Sequence, residues 1–95
     1  MQIKYKGIIF NELTIEKVSG EVIDISKIDK AIELKNIIGA WGYICKECSV
    51  KYNFKIHAME ESIKDMICYV YGCKSKEGVV DFYIEGEEIK KLKFI

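Results

Sequence analysis

Ile3 and Tyr5 alternate with Lys4 and Lys6, and Ile8, Ile9 and Phe10 carry the apolar signal past Gly7. That two-residue period predicts an opening strand with a bulge. Val22–Ile25, following Ser19-Gly20, reads as a second strand. Ser26 then stands as an N-cap with Asp29 three residues on, and Ile28, Ala31, Ile32, Leu34 and Ile38 recur at helical spacing. This pattern predicts a helix over about residues 27–38, stopped by Gly39, with one apolar stripe against the strands. Trp41-Gly42-Tyr43-Ile44 is strand-like, and Cys48–Phe54 suits a short helical turn or a loop. Met59, Ile63, Met66 and Ile67 fall at i, i+4, i+7 and i+8, with Glu60 and Lys64 paired on another face, which predicts a second helix over about 58–66. After the polar turn Lys74–Gly78, Val79–Ile84 reads as a strand. Ile89, Leu92 and Phe94, set against Lys91 and Lys93, supply a returning strand that completes a terminal hairpin.

These elements describe an α+β fold: a small single domain of antiparallel strands with two short helices. Ninety-five residues suit one compact core, and no repeat, linker or low-complexity stretch divides the chain. Fifteen lysines balance fifteen carboxylates, so a strong non-specific pull on nucleic acid or anionic membrane is not expected. Every cation is Lys and none is Arg, which removes the planar fork that grips guanine, phosphate or carboxylate with two hydrogen bonds. Lys4 and Lys6 interrupt the opening apolar segment and no run approaches the length of a membrane span, which predicts a cytoplasmic protein with no membrane partner. Seventeen Ile, no Pro and no Arg read as translation of an AT-rich genome.

The cysteines change the picture. Cys45 and Cys48 are separated by two residues, Cys68 and Cys73 by four, and nineteen residues lie between the pairs. A two-residue spacing lets the chain turn so that both sulfurs approach one ion at about 2.3 Å, with backbone N–H groups facing the thiolates. Gly72 supplies the backbone freedom that the wider second turn needs. Nineteen residues are enough to go out and return, bringing the pairs together. Four thiolates with no open position describe a closed structural site, and Zn²⁺ is the leading ion. Such a site carries a charge of minus two, which hydrogen bonds and the nearby Lys46, Lys51, Lys74 and Lys76 would offset. All four cysteines lie after residue 44, so the expected organisation is a metal-free β/α subregion over residues 1–40 and a zinc-stapled one over 41–95.

Four other readings stay open. A disulfide framework needs an oxidising compartment. A dithiol redox pair needs its first cysteine at a helix N-terminus within a βαβ unit, whereas Cys45 follows a strand-like run. An iron–sulfur cluster uses the same four thiolates. Four unliganded core cysteines would not ordinarily fall into two short-spaced pairs.

Little else points to chemistry. His57 is the sole histidine, and it either replaces one cysteine as a ligand or faces solvent at a helix start. Glu60 and Glu61 point about 100° apart on a helix and do not make a catalytic pair. No nucleophile elbow, phosphate loop, dinucleotide fingerprint or His-Glu-x-x-His run occurs, so no enzyme is expected. Eight of the eleven aromatics fall between Trp41 and Tyr83 and would form an apolar shell around the metal. Tyr69 and Tyr71, flanking Val70, are hard to bury together. With Lys74 and Lys76 they form the candidate partner-binding surface, Tyr being frequent at interface hot spots. The same aromatics beside lysines could stack single-stranded nucleic acid, against which stand the zero net charge and the missing Arg.

Cys45-Lys46-Glu47-Cys48, the following Lys51-Tyr52-Asn53, Cys68, Gly72-Cys73 and the strand Phe82-Tyr83-Ile84 together resemble zinc-ribbon-type segments of short prophage and mobile-element proteins from AT-rich bacteria. The resemblance covers residues 43–84, and the stretch between Cys73 and Phe82 is longer than in compact versions. It implies a zinc-ribbon-like C-terminal half with Cys45, Cys48, Cys68 and Cys73 as ligands. The residues themselves point to a non-enzymatic module that binds another macromolecule, a protein before nucleic acid, and the resemblance implies one version of it, a phage-encoded inhibitor or adaptor of a host defence complex. The alternatives are a zinc-ribbon nucleic-acid binder and, more remotely, a Cys-x-x-Cys dithiol redox protein.

Overall fold

A computed structural model describes residues 1–53 and 66–95. The fold is α+β, with two antiparallel sheets and few short helices. β1 (Ile3–Tyr5) and β2 (Ile8–Phe10) form a hairpin across Lys6-Gly7, both at positive φ, the geometry a two-residue turn needs to match strand twist. β3 (Thr14–Lys17) and β4 (Val22–Asp24) form a second hairpin. β5 (Ile37–Ile44) runs into α1 (Lys46–Lys51), and the chain ends with β6 (Val80–Glu85) and β7 (Lys93–Phe94). The smaller sheet has the order β2-β1-β7 and the larger β4-β3-β5-β6. Ile3, Phe10, Leu13, Ile15, Ile44, Phe82, Ile84 and Leu92 are buried in one continuous core.

Four expectations are corrected. The single opening strand with a bulge is instead the β1–β2 hairpin, with Lys6-Gly7 as its turn. The helix over 27–38 does not form. Only the single 3-10 turns Ile25–Lys27 and Leu34–Asn36 appear there, and Ile37 already opens β5. Ile28, Ile32 and Leu34 pack against the core as the spacing implied, but from irregular backbone. β5 is hydrogen-bonded on both flanks, by β3 and by β6. The β3 ladder takes Ile37 opposite Lys17 and the β6 ladder begins at Gly39, so the strand starts where the β-branched run Ile37-Ile38 would have ended a helix. Gly39, expected as a helix stop, lies inside the strand. The terminal hairpin also does not form. A 3-10 segment, Gly86–Lys91, carries the chain from one sheet to the other, so β6 pairs with β5 while β7 pairs with β1. Ile89 and Leu92 are nonetheless buried. Finally, β3 had no counterpart among the expected strands, although Leu13 and Ile15 face the core and Thr14 and Glu16 face outward.

The expected helix over 58–66 lies outside the described residues except for Met66. No helix of the described residues is long and apolar enough to cross a membrane.

Candidate metal centre

β5 ends at Ile44, and the next residue, Cys45, is the N-cap of α1. Its sulfur accepts a hydrogen bond from the Cys48 N–H at 3.4 Å, so the cap and the first cysteine pair are one feature. The Ser49 N–H donates to the Cys45 carbonyl at 3.0 Å and the Ser49 hydroxyl to the Lys46 carbonyl at 2.7 Å, closing the first helical turn. The spacing Cys-x-x-Cys is thereby converted into two sulfurs on one side of a tight turn. One ground against a redox pair falls with this, since Cys45 does stand at a helix N-terminus. The other holds: both sheets are antiparallel, and among the described residues no βαβ unit surrounds the pair.

The second pair is held by residues far away in sequence. The Tyr69 N–H donates to the Tyr43 carbonyl at 2.9 Å, at the end of β5. On the other side, the Asn11 N–H donates to the Tyr69 carbonyl at 3.1 Å and the Tyr71 N–H to the Ile9 carbonyl at 2.7 Å, while Val70 bridges Phe10. The segment 69–71 is thus fastened between the strand that delivers Cys45 and the opening hairpin. Within it, the Cys73 N–H donates to the Val70 carbonyl at 3.0 Å, closing a turn in which Gly72 takes φ +82°. The Cys68 N–H donates to the Ser75 carbonyl at 2.9 Å, securing the base of the loop.

The result is a cluster in which the sulfurs of Cys45, Cys48, Cys68 and Cys73 all lie within 4.8 Å of one another. Cys45, Cys48 and Cys68 are buried and Cys73 is partly exposed. Cys45 Sγ and Cys73 Sγ are 3.8 Å apart. A tetrahedron with metal–sulfur bonds of about 2.3 Å has edges of about 3.8 Å, so the donor set matches a single ion. No cysteine is in a disulfide, and 3.8 Å is far beyond a sulfur–sulfur bond. A multi-iron cluster would hold its thiolates farther apart, because several metals and inorganic sulfides stand between them.

The electrostatics favour a shared negative charge. Burial pushes the Cys45 thiol up, but hydrogen bonds from the Cys48 N–H and from the other three cysteines outweigh it and leave Cys45 below its ordinary value. Burial pushes Cys48 well up, reinforced by its hydrogen bonds to Cys45 and Cys73. Cys68 is pushed up to about 11, by burial first, although it accepts hydrogen bonds from the Cys45 and Val70 N–H groups. The backbone amides of Cys45, Cys48 and Val70 therefore already point at sulfur, as thiolates bound to a cation require.

The four expected partner-binding residues are not equivalent. Tyr69 is half-buried and packs edge-to-face on Tyr43, with ring centroids 5.1 Å apart. Tyr71 is 62% exposed beside Cys73, and Lys74 and Lys76 are exposed. Tyr71, Gly72 and Cys73 line an open groove of about 340 Å³ with Glu47, Lys51 and Tyr52. His57, the expected alternative ligand, lies outside the described residues. Sequence reasoning missed the residues that clamp the second pair, Ile9, Asn11 and Tyr43, because they act through backbone atoms. No protein-family model, curated protein or solved structure matches this chain.

Proposed function

We propose that Cys45, Cys48, Cys68 and Cys73 hold one structural Zn²⁺, and that the chain is a non-enzymatic module acting by binding another protein. The observation that carries the metal assignment is the set of four sulfurs within 4.8 Å, three of them buried. Zinc suits it because the donor set is all thiolate and closed, with no redox requirement. The ion would tie the β5–α1 junction to the loop containing Cys68 and Cys73, adding to the small core of a 95-residue chain. Tyr71, Lys74 and Lys76, exposed beside this staple, support a protein-binding role. The resemblance to prophage and mobile-element segments extends this to an inhibitor or adaptor of a host defence complex.

Native mass spectrometry of the purified chain tests the metal. One zinc per chain, lost on chelation together with near-ultraviolet dichroism, supports the proposal. A metal-free chain that stays fully ordered overturns it. Co-purification from the native host tests the partner: recovery of a protein whose binding weakens on Tyr71→Ala supports the reading. Recovery of nucleic acid alone, with binding that falls steeply with salt, overturns it.

A further inference from the structure

The outer face of the four-stranded sheet combines aromatic rings and carboxylates in a way the core does not require. The register places Asp24, Thr14, Trp41 and Tyr83 in one row across all four strands, and Val22, Glu16, Gly39 and Glu85 in the next. Trp41 and Tyr83 pack with ring centroids 6.0 Å apart, tilted by 40°. Tyr83 is 56% exposed and Val22 53% exposed. Gly39 has no side chain, so a notch opens between Glu16 and Glu85, whose strands stand roughly 10 Å apart across two strand spacings. Trp41, two residues along the same strand, forms one side of it.

Charge decides what fits there. Neither row contains a lysine, and among the described residues Glu16, Asp81 and Glu85 form no ion pair. Lys27 reaches Asp24 at 3.7 Å, at the far edge. The lysines gather elsewhere: Lys4, Lys6, Lys91 and Lys93 surround a depression beside β1 and β7. An aromatic platform rimmed by carboxylates repels a phosphate backbone, whereas it attracts a cation, which gains both ion pairing and contact with the ring face of tryptophan.

We propose that this face is a contact surface for the protein partner in addition to Tyr71, Lys74 and Lys76, and that the notch over Gly39 receives an arginine or lysine side chain of it. The inference rests on the protein-binding reading above and names the chemistry its partner presents. Arginine is the better fit, because its planar guanidinium stacks on Trp41 while its edge reaches Glu16 or Glu85.

Trp41 is the chain's sole tryptophan, so its fluorescence reports on the site directly. The zinc-loaded full chain is titrated with a hexa-arginine peptide, a hexa-glutamate peptide and a single-stranded oligonucleotide. A saturable change in emission is expected with hexa-arginine alone, weakening as salt rises. Gly39→Val occupies the notch, and the backbone leaves room for its Cβ, which would meet only the Ile84 carbonyl oxygen at an ordinary 3.7 Å. That variant and the Glu16→Lys/Glu85→Lys pair should each weaken binding by about tenfold or more, with thermal midpoints no lower than the parent's for Gly39→Val. Unchanged emission with hexa-arginine, equal affinity in both variants, or an oligonucleotide signal lost in the same variants overturns the proposal. A co-purified protein partner that binds both variants as tightly as the parent overturns this surface while leaving the protein-binding reading intact.

Discussion

Cys45 Sγ stands 3.8 Å from Cys73 Sγ across 28 residues of sequence. The two meet because Tyr43, just before Cys45, accepts the backbone hydrogen bond of Tyr69, just after Cys68. The cysteine cluster is therefore an extension of sheet pairing rather than a separate loop. Burial separates the ligands energetically. Cys45→Ser alters a fully buried donor and should abolish zinc retention and ordered tertiary structure together. Cys73→Ser, at a partly exposed position, should weaken zinc by orders of magnitude while leaving the sheets formed. Competition with a chromophoric chelator and near-ultraviolet dichroism read the two effects, and a Cys73→Ser chain that holds zinc as tightly as the parent removes Cys73 from the ligand set.

Gly42 and Gly39 sit on the same strand and face opposite ways. A Cβ at Gly42 would lie 2.5 Å from Leu13 Cδ2, 3.0 Å from Tyr69 Cδ2 and 3.3 Å from Phe82 Cζ. Gly42→Ala should destabilise the fold by about 1–3 kcal/mol through overpacking, and adding Leu13→Val should recover part of the loss. Gly39→Ala should instead stabilise by up to about 1 kcal/mol, as glycine inside a strand is entropically costly. Urea denaturation of the three variants distinguishes these outcomes.

Tyr5 makes stability depend on alkaline pH. Burial, then the charge of Glu88 and the hydrogen bond to its carboxylate, raise the Tyr5 hydroxyl from 10.0 to about 12. The folded chain thus keeps this proton to a higher pH than the unfolded chain, so its contribution is complete below pH 10 and disappears as pH rises toward 12. Tyr5→Phe should cost about 1–2 kcal/mol at neutral pH and flatten the parent's decline over that alkaline window. Glu88 acts in the opposite range: the hydrogen bond from Lys91, with Lys6 nearby, holds its carboxyl below the usual value, so that contribution disappears as pH falls through the carboxylate range. A Tyr5→Phe chain with the same alkaline slope as the parent would show that another group carries the effect.

Lys4 and Lys93 are direct cross-strand partners between β1 and β7, and both are exposed. Like charges placed opposite one another are unfavourable, so Lys93→Glu should stabilise the smaller sheet by about 0.2–1 kcal/mol. Added salt should raise the parent's thermal midpoint and shrink the gain. A variant less stable than the parent at low salt would mean that the lysine stems contribute more by covering apolar surface than they lose by repulsion.

The cysteine cluster could be anticipated from the chain because it depends on covalent spacing: two residues between Cys45 and Cys48 suit a tight turn that sets both sulfurs on one side. Alternation likewise identified which residues turn inward, and Ile3, Tyr5, Phe82 and Ile84 are all buried. Neither signal says which distant backbone satisfies a segment's hydrogen bonds. Apolar residues at helical spacing over 27–38 fit a helix equally well, until β3 pairs with Ile37 and Gly39–Trp41 and β6 with Gly39–Ile44, drawing the end of that run into a strand. Of the residues expected in the returning strand only Phe94 lies in β7, which bonds to β1 rather than β6 because the 3-10 segment Gly86–Lys91 carries the chain across to the other sheet. The row joining Asp24, Thr14, Trp41 and Tyr83 exists only through three registers at once. Local spacing and inward-facing positions belong to the chain itself, whereas strand partnership is a competition among remote segments for the same amides and carbonyls, decided only when all of them are in place.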